Sequence, residues 1–239
     1  MLHPDPVHVA AFVAARQRVV EQIGAAAGRA GRDPSAITLV AVSKTVPIER
    51  LLAAVAAGLT TLGENRVQEA EAKIAALAGV TWHLIGPLQS NKAKRALAAF
   101  MTIQSVDTVE LAERLDRLAG EAWPDTPVPV LLQVNVDRDP SKAGFEPETL
   151  ADVLARLSTL RRLDVRGLMT VGRLVERAED ARPTFVALRR LSERIRSDPA
   201  AAAVLGPDLS MGMSDDFGVA VEEGATIVRV GRALFGSRA

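Results

Sequence analysis

Few side chains here can form a covalent bond to a carbonyl. The chain contains no cysteine and no tyrosine, and its only lysines are Lys44, Lys73, Lys92, Lys94 and Lys142. Arginine is unsuited to imine chemistry near neutral pH because its guanidinium stays protonated. The lack of cysteine excludes disulfides, thiolate nucleophiles and cysteine-ligated zinc together. Lys44 stands out because it lies just past the apolar run Leu39-Val40-Ala41-Val42. Period-2 alternation puts Val40, Val42 and Lys44 on one face of an extended strand. On either face of a covered sheet an ammonium is desolvated, which favours the neutral, nucleophilic amine. A strand-end lysine can equally snorkel its charge to solvent, so position alone makes Lys44 only a candidate.

Two other segments have the chemistry of a phosphate site. Ser210-Met211-Gly212-Met213-Ser214 and Val230-Gly231-Arg232-Ala233 each combine a glycine with hydroxyls or a guanidinium. The glycine allows close backbone approach, and each segment runs into a helix start whose N–H groups point back. Glycine and serine are also ordinary turn residues. A strand-end lysine facing two such turns suits a ligand with both a carbonyl and a phosphate. That ligand is a phosphorylated sugar, as in a Schiff-base aldolase, or pyridoxal 5′-phosphate (PLP). Arg229 helps choose. It shares a strand face with Ile227, two residues before Gly231. An arginine there suits the pyridine nitrogen of PLP and, being permanently cationic, keeps that nitrogen unprotonated. This makes the ring a weaker electron sink and disfavours deep carbanion chemistry. The competing reading of Arg229 is a salt bridge to Asp215, Asp216, Glu222 or Glu223.

The elements that must position these residues follow a rhythm. A leading helix is expected over 6–29. Apolar runs then alternate with helical patterns: Ile37–Val42, a helix opened by Pro47, Thr60–Leu62, a helix over 66–77, Val80–Ile85, and a helix over 91–99. Next come Met101–Gln104, a helix over 108–119 capped by Asp107, an interruption at Pro124–Pro129, Val130–Val136, and a helix over 147–158 with Pro147 in its first turn. Leu163–Leu168, a helix over 178–197, Asp208–Ser210, a helix over 216–223 and Thr226–Val230 complete the series. Eight strand–helix units imply a parallel sheet covered on both sides and, at this count, closure into a (β/α)8 barrel in the α/β class. The competing open doubly wound sheet normally has a glycine-rich turn after its first strand, where this chain has Ser43-Lys44-Thr45-Val46-Pro47. No linker or repeat divides residues 1–239, so one domain is expected. In such a barrel the site lies at the C-terminal strand ends, where Lys44, Asn65, Ser90 to Lys92, Asn135, Ser210 to Ser214 and Arg229 to Arg232 gather.

Composition narrows the partners. Apolar residues make up 48% of the 239, and the formal net charge is zero. That balance argues against nucleic acid. The longest apolar runs fall far short of the ~20 residues of a membrane span, and no signal-peptide pattern opens the chain. A cytoplasmic protein is expected. No metal-ligand spacing occurs. Asp215 and Asp216 suit a helix first turn. Lys92, Lys94 and Arg95 suit a solvated helix face, with docking of an acceptor enzyme as the sharper alternative.

The sequence resembles the YggS/PROSC family of PLP homeostasis proteins. The resemblance rests on Val40-Ala41-Val42-Ser43-Lys44-Thr45, Gly63-Glu64-Asn65-Arg66-Val67-Gln68-Glu69, Trp82-His83-Leu84-Ile85-Gly86-Pro87-Leu88-Gln89-Ser90-Asn91-Lys92, Ser141-Lys142-Ala143-Gly144-Phe145, Arg166-Gly167-Leu168-Met169, Leu209-Ser210-Met211-Gly212-Met213-Ser214-Asp215-Asp216 and Val228-Arg229-Val230-Gly231. These segments run in order over nearly the whole chain. The resemblance implies the barrel of the alanine racemase N-terminal domain, with PLP as a Schiff base on Lys44. It implies that Ser210 and the Gly231 turn hold the phosphate and that Arg229 faces the ring nitrogen, with Asn65, His83 and Met211 around the ring. By residue type alone, His83 reads equally as a buried core histidine. Arg66 stands where many members have tyrosine, Arg232 where some have threonine, and Val171-Gly172 replaces a common proline-containing turn. A guanidinium from Arg232 would then replace a hydroxyl at the phosphate.

Family members are thought to carry or buffer PLP, without an agreed reaction. The expected function is therefore a PLP-binding homeostasis protein that passes PLP to PLP-dependent apo-enzymes. The alternatives are a weak PLP-dependent amino-acid racemase, an aldolase, or a pure interaction module. A two-base racemase needs a second acid/base opposite the lysine, a tyrosine in alanine racemases, and this chain has none. No segment offers to complete the site of a partner subunit, which predicts a monomer.

Overall fold

A computed structural model describes residues 4–173 and 175–236. Helix α1 (Pro6–Arg29) comes first, its N-terminus capped by the Asp5 carboxylate, which accepts from Val7 N–H at 2.9 Å. Phe12, Ala15, Val19, Ile23 and Ala26 recur at helical spacing and bury one stripe of it. Eight strands follow: β1 (Thr38–Val42), β2 (Thr61–Glu64), β3 (Thr81–Leu84), β4 (Thr102–Val106), β5 (Val128–Gln133), β6 (Leu163–Met169), β7 (Asp208–Ser210) and β8 (Ile227–Val230). Between and after them run α2 (Ile48–Ala56), α3 (Val67–Ala76), α4 (Ala93–Ala99), α5 (Val109–Ala122), α6 (Leu150–Leu157), α7 (Arg182–Arg196), α8 (Pro199–Ala202), α9 (Phe217–Glu222) and α10 (Arg232–Phe235). The strands are all parallel and pair in sequence order, with β8 closing onto β1. This is the (β/α)8 barrel expected from the eight units.

Alternation along each strand sorts residues into two packing layers. Ala41, Leu62, Leu84, Ile103, Val130 and Val228 join the helices in the large outer core. Val40, Leu131, Met169 and Ile227 form a separate cluster inside the barrel. Helix α1 packs outside, against α2, α9 and α10, with Phe12 edge-on to Phe235 at 5.5 Å between centroids.

Several boundaries differ from the sequence reading. Asp107 does not cap α5; Thr108 does, its hydroxyl accepting from Leu111 N–H at 3.1 Å. Pro129 lies inside β5 rather than in an interruption. The missing N–H is tolerated there because the ladder to β4 begins only at Val130. Pro147 precedes α6, separated from it by a turn closed from Thr149 N–H to Glu146 C=O. The helix expected over 178–197 opens as a 3-10 turn at Ala178–Ala181 before α7 begins.

One backbone crossing admits no side chain. A Cβ on Gly167 would lie 1.9 Å from Asp208 C=O, on the neighbouring strand β7. Gly167→Ala is therefore expected to cost at least ~2 kcal/mol of unfolding free energy through forced backbone displacement. Urea denaturation followed by circular dichroism checks this.

Candidate functional site

Strands β1 and β8 are neighbours, with Val40 opposite Arg229 and Ala41 opposite Val230. Their C-terminal exits, at Lys44 and Gly231, consequently meet. Val40 belongs to the interior cluster, so alternation gives Lys44 the interior-side position of the two that the sequence left open. A cavity of about 430 Å³ lies at this junction, lined among others by Val42, Lys44, Thr45, Gly231 and Arg232. Behind Gly231, Ser214 Oγ accepts from Gly231 N–H at 3.1 Å and from Ala233 N–H at 3.4 Å, and Ser214 itself lines a neighbouring cavity with Asp215 and Phe217. The two backbone donors thus brace the Ser214 hydroxyl, whose own proton is left to donate to an anionic oxygen. Gly212 shapes this loop at φ +91°, where a Cβ would lie 2.5 Å from that of Ala220.

Beneath this mouth Arg229 sits inside the barrel, 4% exposed. It donates to Ser210 Oγ at 2.6 Å and to Thr170 C=O at 2.7 Å. It makes no ion pair among the described residues. Asp215 pairs with Arg232 instead, and Glu222 and Glu223 pair with Arg29, Arg182 and Arg189. The salt-bridge reading of Arg229 is thereby replaced by two neutral acceptors. Burial pushes its pKa down to about 10, partly opposed by the charge of Asp216, so it stays cationic at neutral pH. Asp216 is buried too, and its carboxyl is raised by that burial despite Met213 N–H and Arg229. It accepts from Met213 N–H at 2.6 Å rather than serving as an exposed first-turn acid.

The contacts of Arg229 continue across the barrel. Ser210 Oγ donates to Gln104 Oε1 at 2.6 Å, and Gln104 Nε2 lies 2.8 Å from His83 Nδ1. Proton positions along this chain follow from one end. Arginine only donates, so Ser210 must give its single proton to the carbonyl of Gln104. The amide nitrogen of Gln104 then faces His83, whose Nδ1 must accept, leaving the ring proton on Nε2. His83 itself lines a cavity of about 390 Å³ at the opposite, N-terminal mouth, among strand-start residues Thr38, Thr61, Thr81 and Thr102. Burial pushes its pKa down to about 4.

A second buried cluster lies on the helix side of β1 and β2. Lys73 Nζ donates to Ser43 C=O at 2.8 Å, Glu64 Oε1 at 2.7 Å and Glu69 Oε1 at 2.8 Å. Burial raises the Glu64 carboxyl above its ordinary range, against the pull of Lys73 and Ser43.

The model of the alanine racemase N-terminal domain matches residues 18–239. The chain belongs to this family. Within it, the chain is similar to proteins named pyridoxal phosphate homeostasis protein. That of Aquifex aeolicus is 42% identical over 92% of this chain and 96% of the relative. That of Escherichia coli K12 is 38% identical over 92% and 94%. The structure of PipY from Synechococcus elongatus PCC7942 with PLP bound superposes with a TM-score of 0.78 at 41% identity, covering 91% of this chain and all of PipY. Alanine racemase from Corynebacterium glutamicum, at 17% identity and TM-score 0.68, shares the fold over 96% of this chain and 62% of its own.

Of the residues expected in the site of this family member, Lys44, Gly231 and Arg232 line the 430 Å³ cavity, and Arg229 lies below in the interior. Asn65 lies at the β2 exit, its backbone pressed on Gly86, where a Cβ would meet it at 2.5 Å. The guanidinium of Arg232 points to Asp215 on the exposed side. Ser210 has committed its hydroxyl to Arg229 and Gln104, Met211 packs in the outer core, and His83 lines the far mouth. Sequence reasoning missed Gln104, which only a period count along β4 would have turned inward. It also left Ser214 undistinguished in its loop. Lys92 lies in a 3-10 turn, while Lys94 and Arg95 pair on the surface with Glu121 and Glu71.

The depressed pKa of His83 has a stability consequence. The unfolded ring takes a proton below about 6.5, whereas the folded ring resists until about 4. Its contribution is therefore complete above pH 6.5 and is lost as pH falls toward 4, by on the order of 3 kcal/mol. The difference in urea-derived stability between wild type and His83→Gln, measured from pH 7 to 4, is expected to shrink accordingly. Nitrogen-15 NMR should find the ring neutral, with its proton on Nε2, at pH 6.

Proposed function

We propose that this chain binds PLP as a Schiff base on Lys44 and holds it for delivery to PLP-dependent apo-enzymes in the cytoplasm. The observation that carries this reading is the meeting of the β1 and β8 exits. It puts Lys44 and Gly231 on one cavity, with the Ser214 hydroxyl bonded to Gly231 N–H and the Arg229 guanidinium buried in the interior below. These groups match the three polar parts of PLP. The amine suits the aldehyde, the Ser214 hydroxyl, braced by Gly231 N–H and Ala233 N–H, suits the phosphate, and Arg229 suits the pyridine nitrogen. PLP supplies, when bound, an aldehyde carbon and an electron-withdrawing ring. The PLP-bound PipY structure and the names of the curated relatives support the same ligand.

The protein's own groups favour holding over turnover. Arg229 already donates to two neutral acceptors and remains cationic, so it offers the ring nitrogen no proton acceptor. The chain has no tyrosine to act as the second acid/base of a racemase, and the absence of a positioned acid/base typically costs ~10²–10⁴-fold in rate. The monomer is proposed as the working unit, since each group named comes from one chain.

Borohydride reduction of the PLP-loaded protein should bleach its visible absorbance and leave a pyridoxyl group on Lys44 in peptide mass spectrometry. An adduct on another lysine, or failure to take up PLP, defeats the reading. The loaded protein should transfer PLP to an apo-enzyme in the presence of a free-PLP trap and should show negligible alanine racemisation. For the phosphate contact, Ser214→Ala is expected to weaken PLP binding by about tenfold, the worth of one hydrogen bond to a charged group. Binding of unphosphorylated pyridoxal, titrated by absorbance, should be unchanged.

A further inference from the structure

The turn that presents Lys44 has a conformation its own sequence disfavours. Thr45 adopts φ +65°, a left-handed geometry that a β-branched residue rarely occupies. Such a turn persists only where its surroundings hold it, and here the holding groups are visible. Thr45 N–H donates to Glu69 Oε1 at 2.6 Å, and Lys73 Nζ donates to that same oxygen at 2.8 Å. Lys73 also donates to Ser43 C=O at 2.8 Å and to Glu64 Oε1 at 2.7 Å, and Ser43 Oγ donates to Glu64 Oε1 at 2.6 Å. All three protons of one buried ammonium are thus spent on Ser43 and on two carboxylates. One carboxylate grips the Ser43 hydroxyl and the other the Thr45 amide, on either side of Lys44.

Stability alone gives little reason for this cluster. Lys73 is 5% and Glu64 0% exposed, and buried ion pairs can often be replaced by apolar side chains at no net cost. Its location gives a better reason. We propose that Lys73, with Glu64 and Glu69, is a positioning cluster that clamps Ser43 and Thr45 so that Lys44 leaves β1 toward the cavity at the β1–β8 junction. This rests on the reading of Lys44 as the PLP attachment point. Lys73 is a positioning residue, since it acts through the backbone on either side of Lys44. The cluster also assigns different roles to two of the five lysines: Lys73 is committed to the clamp and Lys44 is presented by it.

The clamp makes a prediction that a merely structural role does not. If Glu69 serves to hold Thr45 at positive φ, glycine at position 45 makes it dispensable, because glycine adopts that φ without strain. Glu69→Ala and Lys73→Met should each weaken PLP binding by about tenfold, the scale of the strain released, while circular dichroism stays native. The double variant Thr45→Gly with Glu69→Ala should recover most of that loss. In parallel, Lys44 is labelled in the PLP-free protein by reductive methylation with formaldehyde and cyanoborohydride, and its rate is read by peptide mass spectrometry. That rate should change in Glu69→Ala and return in the double variant. Should Lys73→Met not fold, Glu69→Ala, at a half-buried position, decides. PLP affinity of folded Glu69→Ala within twofold of wild type, or no recovery on adding Thr45→Gly, overturns the proposal. A wild-type pyridoxyl adduct on a lysine other than Lys44 instead overturns the PLP reading, and the methylation rates still judge the clamp.

Discussion

A guanidinium enclosed by a barrel of mostly aliphatic strands is the constraint from which the interior follows. A buried cation without partners is prohibitively costly, and Arg229 finds none of the nearby carboxylates paired to it. It relies on a serine hydroxyl and a main-chain carbonyl, with Asp216 as a buried counter-charge that it does not touch. Because arginine can only donate, the direction of every following bond is set. Ser210 must donate to Gln104, Gln104 must turn its nitrogen to His83, and His83 must remain neutral. Protonating His83 Nδ1 would force Gln104 to flip and leave the Ser210 proton without an acceptor. The low pKa of His83 and the position of Arg229 are two ends of one arrangement.

The alternation of the barrel strands keeps this interior chain apart from the second buried charge cluster. Lys73, Glu64 and Glu69 lie on the helix side of β1 and β2, while His83, Gln104, Ser210 and Arg229 lie inside. Lys44 stands at the exit of β1, between Ser43 and Thr45, both of which the outer cluster holds. Its backbone neighbours are held from the helix side, and its side-chain face belongs to the interior. A one-residue slip in β1 would exchange these roles, placing Ser43 at the mouth and Lys44 against α3. The proposed clamp on Ser43 and Thr45 would resist that slip at the strand end that carries Lys44.

Much of the fold could be read from the sequence because the barrel repeats one simple pattern eight times. Apolar runs of strand length, each followed by a helical period, gave the order of elements, and α1 matched at both ends. The errors fall where a local rule met a neighbour that overrode it. Pro129 read as a breaker because a lone proline carries no information about which edge of a strand is unpaired. Asp107 read as a cap because aspartate and threonine adjoin and only geometry shows whose oxygen reaches the helix. Alternation gave the strand faces that Lys44 and Arg229 share with their neighbours, but which face turns inward needed the closed barrel. The site was less legible where hydroxyls compete. Ser210 and Ser214 are chemically the same, and only the structure shows that the first gives its proton to Gln104 while the second accepts from Gly231 N–H and Ala233 N–H. His83 and Met211 looked alike as motif residues, yet alternation sends Met211 outward, and His83, opposite Thr102 at the start of β4, lines the far mouth.

The same physics bears on the proposal that this protein holds PLP rather than turning over substrate with it. An active site for carbanion chemistry benefits from a ring nitrogen that can be protonated, usually by a carboxylate partner free to share a proton. Here Asp216 is the acid whose charge acts on Arg229, but its oxygen accepts from Met213 N–H. Replacing Arg229 by a carboxylic acid would not simply convert the site. It would remove the donor to Ser210 and Thr170, reverse the logic of the chain to His83, and add a second buried acid beside Asp216. The arginine is thus tied to the folding of the barrel interior as well as to the ring it is proposed to face. On the proposed reading, a ring partner that is also a core element is held in place by the interior hydrogen bonds and cannot be exchanged without disturbing them.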